Sequence, residues 1–136
     1  MTLTELNSLK HLNRECAQEK RRLASLRAAL ARSGPARVFG VATVMSETEK
    51  ETVRAEIAAL EASSAAHLKK ILQKHGEITA FIYGVADPYG RMILTLRYVN
   101  GLSWAQVAAH IGGDNTEDGV RKYHDRHLGE FGIEKS

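Results

Sequence analysis

A single cysteine, Cys16, stands in 136 residues, so no internal disulfide can form and stability must come from packing. A lone thiol also fits a reducing, cytoplasmic setting. Only two prolines interrupt the chain, which leaves long stretches free to be helical. The longest unbroken apolar runs are a few residues, too short to span a bilayer, and no membrane partner is expected. Met1 to Lys20 is punctuated by Glu5, Lys10, Arg14 and Glu15 and lacks the apolar stretch of a secretory signal. Catalytic signatures are missing as well: there is no Gly-x-x-x-x-Gly-Lys-Ser/Thr loop, no Gly-x-Ser-x-Gly elbow and no His-Glu-x-x-His, so an enzyme is not expected. No cofactor is implied.

What remains is an ordinary globular composition. At 43% hydrophobic and 26% charged residues it excludes a collagen-like or fully disordered chain. The length allows one domain, or a small domain with an extended element. The net charge of +3 is mild, but its distribution is uneven: residues 1–32 carry a surplus of +4, and residues 114–136 are at −2.

Periodicity predicts an all-α protein. From Leu3 to Arg32, Leu9, Cys16, Leu23 and Leu30 recur every seven residues, with Leu12 and Leu26 on the complementary position and Glu19 breaking it. This is an a/d pattern in a segment of strong helix formers. Ser33-Gly34-Pro35 is a helix stop. Residues 36–45 are β-branched and weakly patterned, and whether Val38 to Met45 is strand, loop or interface stays open. Ser46 and Glu49 have the spacing of a capping box and open a second long helix. Its apolar stripe is Val53, Ile57, Leu60, Ser64, Leu68 and Ile71, and to His75 it spans ~43 Å. Two matched helices with a short link predict a long antiparallel coiled-coil hairpin over residues 1–76, serving oligomerisation. Gly76 is placed to kink or end the second helix, with residues 77–85 continuing as helix.

Asp87-Pro88 then starts a helix from Pro88 to Val99 that buries Ile93, Leu96, Met92 and Val99. Asn100-Gly101 closes it, and Ser103 with Gln106 caps a short helix from Trp104 to Ile111. After Gly112-Gly113, a last helix starts near Asn115 or Thr116 and runs to Phe131. Helix, glycine turn, short helix, turn, helix is the pattern of a tri-helical helix-turn-helix unit, expected over residues 77–136. With Val120 turned inward, Asp118, Lys122, Asp125 and Arg126 face out, flanked by Glu117 and Arg121. Arginine and lysine there suit phosphate or guanine, and a glutamate suits the cytosine amino group.

The segment Leu96-Arg97-Tyr98-Val99-Asn100-Gly101-Leu102-Ser103-Trp104-Ala105-Gln106-Val107-Ala108 resembles the start of the sigma-factor region 4 helix-turn-helix. Thr116-Glu117-Asp118-Gly119-Val120-Arg121-Lys122-Tyr123-His124-Asp125-Arg126 is similar to its recognition helix. The resemblance spans residues 78–131, and the layout is similar to small phage- and prophage-encoded sigma-like proteins. It implies a transcription regulator that binds double-stranded DNA, with RNA polymerase a further partner. The candidate DNA-binding residues are Thr116, Glu117, Asp118, Arg121, Lys122, Asp125 and Arg126.

Competing expectations are a module that binds polymerase or another protein without reading bases, and a small-terminase-like packaging adaptor. Arg121, Lys122 and Arg126 also suit a solvated face, and acidic residues in a first turn also suit the helix dipole. His124 and His127, with His110 or Asp114 nearby, have metal-ligand spacing, but both lie on or beside the apolar stripe, so packing is favoured and no metal is assigned.

Overall fold

In a computed structural model, residues 1–32, 37–38, 41–42 and 45–135 are described. The order is α1 (Leu3–Ala31), β1 (Arg37–Val38), β2 (Val41–Ala42), α2 (Glu47–Tyr83), α3 (Pro88–Leu94), a π-helical turn (Thr95–Val99), α4 (Trp104–Ile111) and α5 (Glu117–Phe131). Among the described residues the regular elements are helical apart from β1 and β2, which pair antiparallel with Arg37 opposite Ala42 and Val38 opposite Val41. That pair lies in the segment left open by the sequence. The other residues of that segment before Met45, and the Ser33-Gly34-Pro35 stop, lie outside the described residues. Among the described residues no helix is long and apolar enough to cross a membrane.

The caps expected for α2 and α4 form, and α1 has an unforeseen one. At α1 the Thr2 hydroxyl accepts from the Glu5 amide at 3.1 Å and the Glu5 carboxylate accepts from the Thr2 amide at 2.7 Å. Ser46 and Glu49 do the same for α2, and Ser103 and Gln106 for α4. Each box pairs amides that no helical carbonyl reaches. Gly76 neither ends α2 nor opens it, since the helix continues to Tyr83.

Packing divides the chain into two compact units: Met1–Leu12 with Lys70–Ser136, and Asn13–Lys69. The expected boundary between residues 76 and 77 differs from this division, because the start of α1 packs with the C-terminal elements. Leu6 and Leu9 are buried in one apolar cluster with Ile78, Ile82, Val85, Leu94, Tyr98, Leu128, Phe131 and Ile133. Backbone bonds tie the two ends of the chain together: the Leu3 amide donates to the Glu134 carbonyl at 2.9 Å, and the Glu134 amide to the Met1 carbonyl at 3.0 Å. A second cluster, Ile93, Leu96, Val107, Ala108 and Val120, joins α3, the π turn, α4 and α5, and Tyr123 packs against both clusters.

This two-sided packing corrects the expected burial of the third helix. It lies between two clusters and buries two faces: Ile93 and Leu96 on one, Leu94 and Tyr98 on the other. Met92 falls on the remaining face and is exposed, and Val99 is only partly buried. The helix also changes winding at Thr95. The Asn100 amide reaches back five residues to the Thr95 carbonyl at 2.9 Å, which is the π spacing.

In the Asn13–Lys69 unit, Cys16, Leu23 and Leu26 are buried as the heptad predicts. On α2 the apolar stripe needs one correction: Leu68 is 51% exposed, and His67 takes the inward position. The stripe steps 60, 64, 67, 71, as helical geometry requires. His67 meets Glu15 at 3.2 Å and also Glu19, so the residue that interrupts the α1 pattern faces the residue that interrupts the α2 pattern. Arg22–Glu56 at 2.9 Å and Arg27–Glu61 at 2.6 Å add exposed ion pairs, each of small energetic value in water.

Candidate nucleic-acid interface

The last helix begins where the sequence indicates. Thr116 takes the cap, its hydroxyl accepting from the Gly119 amide at 3.0 Å. One side of α5 is sealed by Val120, His124, Leu128 and Phe131. Thr116, Glu117, Asp118, Arg121, Lys122, Asp125 and Arg126 are all exposed.

These exposed side chains interact with one another. Asp118 accepts from both Arg121 and Lys122, the latter at 3.0 Å. The Lys122 hydrogen bond and charge, followed by those of Arg121, hold the Asp118 carboxyl below its ordinary range. Asp125 accepts from the His124 Nδ1 at 2.9 Å. Arg126 has no ion-pair partner among the described residues. The six charged members of the face sum to zero. So does the whole compact unit, which holds nine basic and nine acidic residues; the chain's surplus of +3 resides in Asn13–Lys69.

Arg91 and Arg97 have structural roles. Arg91 donates from Nη1 to the carbonyls of Val85 at 2.7 Å and Ala86 at 3.1 Å, just past the end of α2. Arg97 donates to the Leu102 carbonyl at 2.9 Å and lies 4.6 Å above the Trp104 ring.

The histidines paired by the sequence do not converge on one point. His127 Nδ1 donates to the Tyr123 carbonyl at 2.8 Å, and its ring stacks on Tyr123 at 4.1 Å. His124 is buried at 3% exposure, between the Tyr98 hydroxyl at 2.8 Å and the Trp104 ring at 4.7 Å. A carboxylate only accepts, so His124 Nδ1 carries the proton toward Asp125, and neutral Nε2 accepts from Tyr98. Among the described residues, no three His, Cys, Asp or Glu side chains are grouped to hold a metal ion.

Burial disfavours the charged imidazole and lowers the His124 pKa, against a smaller opposing pull from Asp125. Burial likewise pushes the Tyr98 hydroxyl up to about 12. The sign for stability follows: a histidine lowered on folding binds fewer protons in the native state, so its contribution is complete above the unfolded pKa of about 6.5 and is lost as pH falls. The urea midpoint is expected to drop between pH 7.5 and pH 5, and His124→Gln is expected to flatten that dependence. The lowered carboxylates Glu19, Asp87 and Asp118 act at lower pH, since their ordinary values are 4.5, 3.8 and 3.8.

The Tyr98–His124 bond was not visible in the sequence, because nothing in a spacing of 26 residues marks the pair. A second unforeseen link is Tyr123, whose hydroxyl donates to Asp87, the cap of α3. It fixes the start of α3 to the middle of α5. That bond is the largest of the influences holding Asp87 below its ordinary range and raising Tyr123 to about 12.

Comparison with known proteins gives no match: no protein family, no curated protein and no solved structure aligns significantly with the chain.

Proposed function

We propose that the chain is a sequence-specific DNA-binding protein, a transcription regulator of the phage or prophage type, in which α3, α4 and α5 form a helix-turn-helix unit and α5 enters the major groove. The observation that carries this reading is the exposure of all seven candidate residues on α5 and its cap while the opposite side of that helix is sealed. A groove ≈12 Å wide admits such a helix. Arg121, Lys122 and Arg126 contact guanine or phosphate, and Glu117 accepts from the cytosine amino group. The resemblance to sigma region 4 supports the same assignment.

In this reading α1 and α2 form an antiparallel coiled-coil hairpin that joins copies of the chain. Val53, Ile57 and Leu60 are only half-buried within their unit, which leaves apolar surface for a second copy's helices. The basic surplus of that unit adds attraction to phosphate.

One observation favours a second reading. The face of α5 has no net charge, and Asp118 neutralises two of its cations. That suits a protein surface such as RNA polymerase, contacted without base readout.

Titration with random-sequence duplex at two salt concentrations separates the two. DNA binding predicts affinity that falls steeply with salt. The triple substitution Arg121→Ala, Lys122→Ala, Arg126→Ala is expected to flatten the log–log salt slope by about 3 if each cation meets a phosphate, with an unchanged thermal transition. A folded protein that ignores duplex at low salt overturns the DNA reading and favours the second.

A further inference from the structure

An open groove of about 520 Å³ lies among α2, α3, the π turn and α4, and no residue of α5 lines it. Its size falls within the roughly 300–1,000 Å³ of small-molecule sites. The floor is apolar: Ile82, Met92, Leu96 and Val99. Tyr83, 81% exposed, and Met92, 42% exposed, are large apolar side chains that the fold leaves in water here.

The polar lining has one character. His75, Arg91 and His110 contribute nitrogen groups, and Thr79 and Thr95 contribute hydroxyls; no carboxylate lines the groove. That is a selective distribution, because the compact unit containing it carries as many acidic as basic residues. Arg91 is held by Nη1 on the Val85 and Ala86 carbonyls, which fixes its fork and leaves Nε and Nη2 without a partner among the described residues. Thr79 Oγ1 is buried and has no hydrogen-bond partner among the described residues, a costly condition for a hydroxyl in a folded chain.

We propose that this groove binds a small amphipathic carboxylate, its apolar body against Ile82, Met92, Leu96 and Val99 and its charged head on Arg91. A carboxylate matches the guanidinium fork, and the hydrogen bond is strengthened by charge. The assignment is independent of the DNA reading, because it uses none of the α5 residues.

Calorimetric titration of the full chain with decanoate, decan-1-ol and decyltrimethylammonium tests it. Decanoate is expected to bind saturably at one site per chain, and the other two at least about tenfold more weakly, the order of one charge-assisted contact. His75→Glu, at an exposed position, is expected to weaken decanoate about tenfold and to favour the cationic amphiphile. Met92→Trp is expected to block decanoate without moving the thermal transition. Equal binding of all three amphiphiles, or decanoate affinity indifferent to both substitutions, overturns the proposal. So does a sedimentation mass above the monomer that decanoate leaves unchanged and Met92→Trp abolishes, which would assign the groove to a second copy.

Discussion

A chain lacking residues 1–12 is expected to lose the cooperative unfolding transition of the unit they share with Lys70–Ser136, although residues 13–69 separate the two in sequence. Leu6 and Leu9 are 1% and 2% exposed, among the most completely buried side chains in the protein. They pack in the cluster that includes Ile78, Ile82, Leu128 and Ile133. Truncating one buried leucine to alanine costs about 2–5 kcal/mol, against a typical domain stability of about 5–15 kcal/mol. Deletion removes both side chains and also frees the backbone bonds to Glu134. Leu9→Ala alone should lower the stability from urea unfolding by about 2–5 kcal/mol. Leu6→Ala should do likewise, and the two share one cluster, so their effects need not sum. Hydrogen exchange at Val107 and Val120 would show whether the second cluster opens with the first. An unaltered urea midpoint in Leu9→Ala would mean that the N-terminal turns contribute nothing to this core.

The second large effect is expected at Gly90. A Cβ built there lies 2.6 Å from both Cε1 and Cζ of Phe131, and 3.3 Å from the Asp87 carboxylate. Phe131 is itself 5% exposed and packed in the first cluster, so its ring has little room to retreat. Gly90→Ala normally favours a helix, because glycine loses more backbone freedom, by roughly 0.8–1 kcal/mol. Here overpacking should dominate, at about 1–3 kcal/mol, and the net change should be destabilising. Phe131→Leu should cost stability on its own through lost packing. In the double variant the two penalties should be clearly less than additive, because the shorter side chain removes the clash. A stabilising Gly90→Ala would show that α3 and α5 separate easily at this point.

Helical extent was largely readable from local signals. Capping residues, glycine turns and Asp87-Pro88 act on the backbone within a few positions, and so sequence narrows the start of α5 to Asn115 or Thr116, of which Thr116 is the cap. The heptad of α1 likewise predicts Leu9, Cys16, Leu23 and Leu26 as buried. Partnership was not readable. An apolar stripe states that a face needs cover and does not say from where, so Leu6 and Leu9 gave no sign that they join Leu128 and Ile133. Residue type misled at Leu68, where helical phase selects His67 and Glu15 and Glu19 satisfy it. A single expected stripe on the third helix missed Leu94 and Tyr98, because a helix between two clusters has two inward faces. For the candidate interface, helical phase places Asp118, Lys122, Asp125 and Arg126 outward with Glu117 and Arg121 beside them, but the Asp118 clamp on Arg121 and Lys122 depends on rotamers that spacing does not encode.

The π turn at Thr95–Val99 accommodates one more residue than an α-helix would over the same path. Shortening the loop before Ser103 and shortening this turn are therefore different events. Loss of one residue between 95 and 99 would let the helix relax to ordinary winding, with little local strain, and would leave the residues that follow in nearly the same phase relative to those before. Removal of one residue from this short stretch should thus be tolerated better than removal of one from an ordinary α-helical stretch such as that between Val120 and Leu128, where every side chain that follows would turn by about 100°.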